Sequence, residues 1–126
     1  MNFFKLFSRK KKDSNVRPIP PWNEIVDMMH DKYLDAFADE VVTVIYSLDR
    51  SMRYVVLKCD NGLLTYQLEA IYQYDEDELR YICSDDKALP AMWEPFHGVG
   101  GKSLFESEKE LLKEMKSEPE YKRYFQ

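Results

Sequence analysis

Apolar residues recur at helical spacing directly after a proline-rich stretch near the start of the chain. A helix is expected to begin near Trp22, because proline is well placed at or just before the first turn of a helix. Its predicted apolar stripe consists of Trp22, Ile25, Val26, Met29, Tyr33 and Phe37. Aspartates recur every fourth position from Asp27 to Asp39 and predict a solvated acidic ridge on another face.

The pattern then changes to the alternation that is typical of β strands. The turn Asp60-Asn61-Gly62 predicts a tight hairpin, since asparagine and glycine tolerate the positive φ that such turns need. Short connections between consecutive strands predict an antiparallel meander. The four predicted strands are 41–48, 52–59, 63–74 and 79–83.

The C-terminal part is predicted to be a long loop followed by a helix. Prolines and glycines punctuate residues 84–103, and a loop of that length is a candidate functional segment. The helix should begin near Ser107, because Ser107 and Glu110 have the spacing of a capping box, and Pro119 should end it. The expected fold is therefore α+β: an N-terminal helix, a four-stranded antiparallel meander sheet and a C-terminal helix, with the helices on one face of the sheet.

The length of 126 residues predicts one domain, at 18–126, preceded by a flexible tail at 1–17. Charge differs sharply between these parts. Residues 1–12 carry five basic residues and no acidic one, whereas the whole chain has a net charge of −5, so −10 remains for residues 13–126. A body of that charge repels nucleic acid and attracts basic surfaces.

The tail combines apolar and basic residues, and it has two interpretations. It is either disordered or makes weak contact with an anionic membrane surface. Its apolar part precedes its basic part and no cleavage site follows, unlike a secretory signal, so a cytoplasmic location is expected. The residues of the predicted membrane contact are Phe3, Phe4, Phe7, Arg9, Lys10, Lys11 and Lys12.

Motifs for catalysis or cofactor binding are weak. The stretch GVGGKS at 98–103 lacks the first glycine of a phosphate-binding loop, because Phe96 occupies that position. Neither histidine is accompanied by further metal ligands at suitable spacing. Cys59 and Cys83 are too few for a disulfide framework and are interpreted as buried reduced thiols. The sequence thus predicts no catalytic residue, no metal and no cofactor.

Carboxylates and tyrosines cluster around the fourth predicted strand and indicate a protein contact surface. Six carboxylates fall within the twelve residues 75–86. Tyrosine supplies large contact area at a low entropy cost, and solvated turns beside a half-buried sheet face are the alternative. The predicted contact residues are Tyr74, Asp75, Glu76, Asp77, Glu78, Tyr81, Asp85, Asp86, Trp93 and His97.

The C-terminal part carries Met92-Trp93-Glu94-Pro95, a glycine loop and an ending of the type PEYxxxF. With these features, residues 90–125 resemble the ends of small bacterial α+β proteins of the immunity type, from toxin–immunity systems. The resemblance implies inhibition of a cognate toxin by binding and supplies no transferable site residues. Many toxin domains are basic nucleases, and an acidic protein can block such a site by electrostatic complementarity.

The leading prediction is therefore a small protein-binding domain of immunity type, with a basic toxin domain as partner and no enzymatic activity. Two alternatives remain open. One is a small-molecule-binding or enzymatic domain that uses a cavity of the curved sheet, with His97 beside nearby carboxylates. The other is a membrane-surface adaptor held by residues 1–12.

Overall fold

A computed structural model describes residues 18–82, 88–100 and 103–126, with the backbone alone for 82 and 97–100. The predicted tail at 1–17 lies outside these residues. The elements in chain order are α1 (Trp22–Met29), a 3₁₀ turn (Leu34–Ala36), β1 (Glu40–Tyr46), β2 (Met52–Lys58), β3 (Leu64–Gln73), α2 (Glu76–Ile82), β4 (Ala91–Gly100), α3 (Glu108–Lys116) and α4 (Pro119–Tyr124).

The four strands form one sheet in the order β1-β2-β3-β4, and every neighbouring pair is antiparallel. The predicted α+β class and meander are confirmed. Gly62 turns the β2–β3 hairpin with a φ of 85°, and its N–H donates to the Cys59 carbonyl at 2.9 Å. Asn61 Oδ1 accepts from the N–H of Leu63 at 3.0 Å. The asparagine–glycine turn thus fixes the register of the two central strands.

The helices cover both faces of the sheet. On one face, Tyr54 and Val56 of β2 belong to a core that includes residues of α3 and the C-terminal end. On the other face, Ile25 and Met29 of α1 pack against Trp93 of β4. The prediction that all helices lie on one face is therefore wrong for α1. The reason lies in β2, where every residue but the last is buried, so each face of that strand needs its own cover.

The helix α4 is tied to the sheet through the carboxylate of Glu118, which directly precedes it. Tyr54 Oη donates to Glu118 Oε1 at 2.7 Å, and Tyr66 Oη donates to Glu118 Oε2 at 2.6 Å. Burial, followed by the hydrogen bond to this carboxylate, raises the pKa of both tyrosine hydroxyls well above the usual range. We call these three residues the Glu118 clamp.

The fourth strand lies later in the chain than predicted. Residues 79–83, predicted as a strand, fall mainly within α2, and the predicted loop 84–103 contains β4. Asp75 and Glu78 explain the helix: Glu78 N–H donates to Asp75 Oδ1, and Asp75 N–H donates to Glu78 Oε1, both at 2.9 Å. This reciprocal pair is a capping box, which starts a helix where a plain acidic turn was expected.

The helix α1 is shorter than its apolar stripe suggested. It ends at Met29, and Asp31 and Tyr33 then have φ values of 62° and 64°, which regular helix does not allow. The four aspartates therefore do not form one continuous ridge. The predicted helix near Ser107 is confirmed as α3, with Ser107 Oγ accepting from the N–H of Glu110 at 3.2 Å. In the described parts of the chain, no helix is long and apolar enough to cross a membrane.

Candidate functional site

The acidic residues that follow β3 lie in and just before the first turn of α2. The side chains of Asp75, Glu76 and Asp77 are all exposed. Tyr81, near the end of the same helix, is 91% exposed, more than the other large apolar and aromatic side chains that the structure describes. Asp77 Oδ1 accepts from Arg80 Nη1 at 3.3 Å, an exposed pair that contributes little to stability. We call Asp75, Glu76, Asp77 and Tyr81 the α2 surface.

Glu78 differs from its acidic neighbours because it holds the helix in place. Besides its part in the capping box, its Oε1 accepts from the hydroxyl of Tyr72 at 2.8 Å. This hydrogen bond raises the pKa of the Tyr72 hydroxyl. Tyr74 is half-buried at the end of β3, and its N–H donates to the Pro90 carbonyl at 3.1 Å. Glu78 and Tyr74 therefore anchor the base of α2 to the sheet.

The other predicted contact residues do not join the α2 surface in the described structure. Trp93 is only 6% exposed and belongs to the interior. Asp85 and Asp86 lie outside the described residues. His97 lies in β4, where only the backbone is described.

A second, unpredicted feature is an ion pair buried on the α1 side of the sheet. Arg53 of β2 stands directly opposite Glu69 of β3, and its Nε donates to Glu69 Oε1 at 2.8 Å. Their side chains are 0% and 7% exposed. Glu69 Oε2 accepts from Gln67 Nε2 at 3.0 Å, so both oxygens of this carboxylate are engaged. The Cζ atom of Arg53 lies 4.1 Å from the centre of the Trp93 ring, a cation–π contact.

The guanidinium of Arg53 is only partly satisfied. Its Nη1 and Nη2 atoms are buried and have no hydrogen-bond partner within the described part of the chain. A guanidinium carries five N–H donors, and a buried donor left unpaired costs about 1–3 kcal/mol. An arginine kept in this state inside the sheet therefore indicates a site for an acceptor that the protein itself does not supply.

Arg53 lies at a cleft of about 130 Å³ between the sheet and the segment that joins α1 to β1. Arg53, Glu69 and Trp93 are buried and form its floor, whereas Tyr33 and Ala36 are exposed and form its rim. We call this the interior cleft, and its lining residues are Tyr33, Ala36, Phe37, Arg53, Glu69 and Trp93.

Two contacts hold the rim segment over the sheet. The Tyr46 hydroxyl donates to Asp31 Oδ1 at 2.7 Å and accepts from the Asp31 N–H at 2.9 Å. Burial, followed by the bond to Asp31, raises the pKa of this hydroxyl. Trp93 Nε1 donates to the Met29 carbonyl at 2.8 Å and so fixes the end of α1. The rim is thus attached at the point where the backbone leaves the helix.

The sequence contained one signal that could have located the cleft. Arg53 and Glu69 are equally distant in sequence from Asn61, at the centre of the predicted hairpin turn, so an antiparallel register around that turn places them opposite each other. The third floor residue, Trp93, reaches them only because β4 pairs with β3 across a long connection.

Elsewhere in the described residues, no group of three or more histidine, cysteine, aspartate or glutamate side chains is placed to hold a metal ion. Comparison with protein-family models, with curated proteins and with solved structures finds no match for this chain.

Proposed function

We propose that this chain is a small protein-binding domain of immunity type, which inhibits a basic toxin domain by contacting it through the α2 surface. The observation that carries the proposal is Tyr81, whose side chain is 91% exposed beside the exposed carboxylates of Glu76 and Asp77. A tyrosine in water leaves a large apolar ring unburied, and contact with a partner would bury it. Tyrosine is also among the residues that dominate binding energy in protein interfaces.

Net charge supports a basic partner. The chain carries a net charge of −5, with five basic residues in its first twelve, so the domain itself is considerably more acidic than the chain as a whole. Such a field speeds the encounter with a positively charged surface and disfavours nucleic acid. The carboxylates of the α2 surface would pair with basic side chains at the rim of the interface, while Tyr81 would fill a pocket nearer its centre.

The resemblance of residues 90–125 to immunity-type proteins supports the class of partner. That stretch runs from the start of β4 to the C-terminal end of α4, which form one side of the sheet's edge and the cover of one face. Inhibition by binding requires no catalytic group, and the α2 surface contains none of the pairings that activate a nucleophile.

The test is affinity capture from the native host's lysate with three baits in parallel. The first is the wild-type protein, the second is the Glu76→Gln/Asp77→Asn/Tyr81→Ala variant, and the third is a matched control. The control, Leu48→Ala/Glu108→Gln, removes another exposed apolar side chain, which is 72% exposed, and an exposed carboxylate away from α2.

We expect a basic protein that the wild-type and control baits retain and that the α2 variant loses. The purified partner should then associate more slowly with increasing salt, and its toxic activity should fall on addition of the wild-type chain. Equal capture of the partner by the α2 variant would show that the contact lies elsewhere. A captured partner that is acidic, or that keeps full activity in the complex, would refute the immunity role.

A further inference from the structure

The interior cleft is separate from the α2 surface, and its construction indicates a ligand. We propose that it binds a small planar carboxylate through the Nη1 and Nη2 atoms of Arg53. The proposal does not depend on the function assigned to α2, because the two sites share no residue.

The hydrogen-bonding state of Arg53 sets the chemistry of the ligand. Nε is engaged by Glu69, and the second oxygen of Glu69 is engaged by Gln67, so this carboxylate cannot also satisfy Nη1 and Nη2. No other acceptor reaches these two atoms from the described residues. The side of the guanidinium opposite Nε presents parallel N–H groups, and a carboxylate accepts such a pair in a bidentate arrangement.

The walls of the cleft set the shape of the ligand. One face of the guanidinium is covered by the Trp93 ring at 4.1 Å, which leaves the in-plane direction for a ligand. Tyr33, Ala36 and Phe37 supply the remaining aromatic and apolar lining. A hydrated tetrahedral anion such as phosphate would lose water against these walls without recovering its hydrogen bonds, whereas a flat carboxylate with an apolar body retains both kinds of contact.

The size of the cleft limits the body of the ligand. Its volume of about 130 Å³ is close to that of an engineered apolar cavity of about 150 Å³ that admits benzene. The exposed rim at Tyr33 and Ala36 gives a route of entry from solvent. A single aromatic ring with one carboxylate therefore matches both the space and the donors.

Electrostatics set the expected affinity. Arg53 already shares its charge with Glu69, so a second carboxylate at Nη1 and Nη2 brings the site to a net negative charge. Binding of a ligand this small should be weak, with a Kd on the order of 1 mM.

The probe is benzoate, with the neutral amide benzamide as the matched ligand. The protein is the full chain carrying Trp22→Phe, which removes the exposed tryptophan and leaves Trp93 as the only source of tryptophan fluorescence. Because the Trp93 ring lies on the Arg53 guanidinium, occupation of Nη1 and Nη2 should change its emission. Titrations at constant ionic strength should give a saturable change with benzoate and binding at least about tenfold weaker with benzamide.

Two variants and a control locate the binding. Arg53→Met/Glu69→Leu removes both charges together and should abolish the benzoate response, and Ala36→Leu, which narrows the rim without touching the ion pair, should weaken it. The control is Arg123→Met, which removes an exposed arginine that also lies over an aromatic ring, and it should keep full binding.

Benzamide that binds as tightly as benzoate would overturn the proposal, since the cleft would then be an apolar slot that does not use the guanidinium. Wild-type binding by the folded double variant would overturn it as well. If the double variant does not fold, the decision passes to Ala36→Leu and to the NMR signals of the Arg53 guanidinium in the Trp22→Phe protein. Benzoate must shift those signals, and signals that stay unchanged up to saturating benzoate refute the site.

Discussion

Replacement of Glu118 by alanine tests how α4 is held on the sheet. The change removes the acceptor of two hydroxyls at 2.6 and 2.7 Å, which belong to side chains only 0% and 3% exposed. A hydrogen bond to a charged acceptor contributes about 1.5–3 kcal/mol. Glu118 itself is half-buried, so water partly replaces its carboxylate and the lower limit applies to each bond. The expected loss is about 3 kcal/mol, a large share of the roughly 5–15 kcal/mol that stabilise a typical domain.

Urea unfolding followed by circular dichroism measures this loss, with the comparison made at equal dependence on denaturant. Glu114→Ala is the matched control, because it removes an exposed carboxylate from α3 and should change stability by less than about 0.5 kcal/mol. A double-mutant cycle isolates the cause: in a Tyr54→Phe/Tyr66→Phe background, Glu118→Ala should cost much less. A loss below about 1 kcal/mol in the wild-type background, or an equal loss in both backgrounds, would refute the clamp.

Three further predictions concern the charged groups of the domain and of its tail. Because the pKa values of Tyr54 and Tyr66 are raised in the folded state, both states stay protonated below pH ~10; above it the unfolded state releases protons first, and stability should fall by up to about 1.4 kcal/mol per pH unit for each hydroxyl. Unfolding curves at several alkaline pH values measure this fall, which must be shallower when both residues are phenylalanine. Glu69→Leu alone should cost about 3–5 kcal/mol in urea unfolding because it leaves Arg53 buried and uncompensated, whereas pairing it with Arg53→Met should recover most of that loss; equal losses would contradict a buried pair. Deletion of residues 1–12 should abolish co-sedimentation with anionic vesicles and leave the melting temperature unchanged; full-length protein that does not co-sediment at low salt would exclude membrane contact, and a fall of several degrees on deletion would show that the tail packs on the domain.

The central hairpin was predictable because its information is local. Alternation on both sides of Asn61-Gly62 defines two strands, and the turn defines their register, so the pairing of Arg53 with Glu69 follows from the sequence once the turn is accepted. Burial of that pair was less accessible, since a charged residue in a strand normally indicates the solvent-facing side.

The fourth strand was not predictable from local pattern. Pro95 and two glycines interrupt β4 and suggest a loop, but at the edge of the sheet a proline costs little, because its missing N–H can face away from the neighbouring strand. Asp75 and Glu78 likewise resemble a turn until their reciprocal hydrogen bonds are recognised as a helix start. Exposure of Tyr81 depends on that helix, so the α2 surface could be proposed from composition but its geometry could not.

The meander also has a consequence for the order in which the domain folds. The β2–β3 hairpin closes over the shortest connection and has the lowest loop-closure cost, whereas β4 must return to β3 across α2 and the chain that follows it. Arg53 and Glu69 are therefore expected to meet while the hairpin is still surrounded by water, where pairing two charges is inexpensive. Dehydration of the pair comes only when Trp93 and α1 arrive, so the electrostatic penalty falls late on the folding pathway, and substitutions at this pair should alter the unfolding rate more than the folding rate.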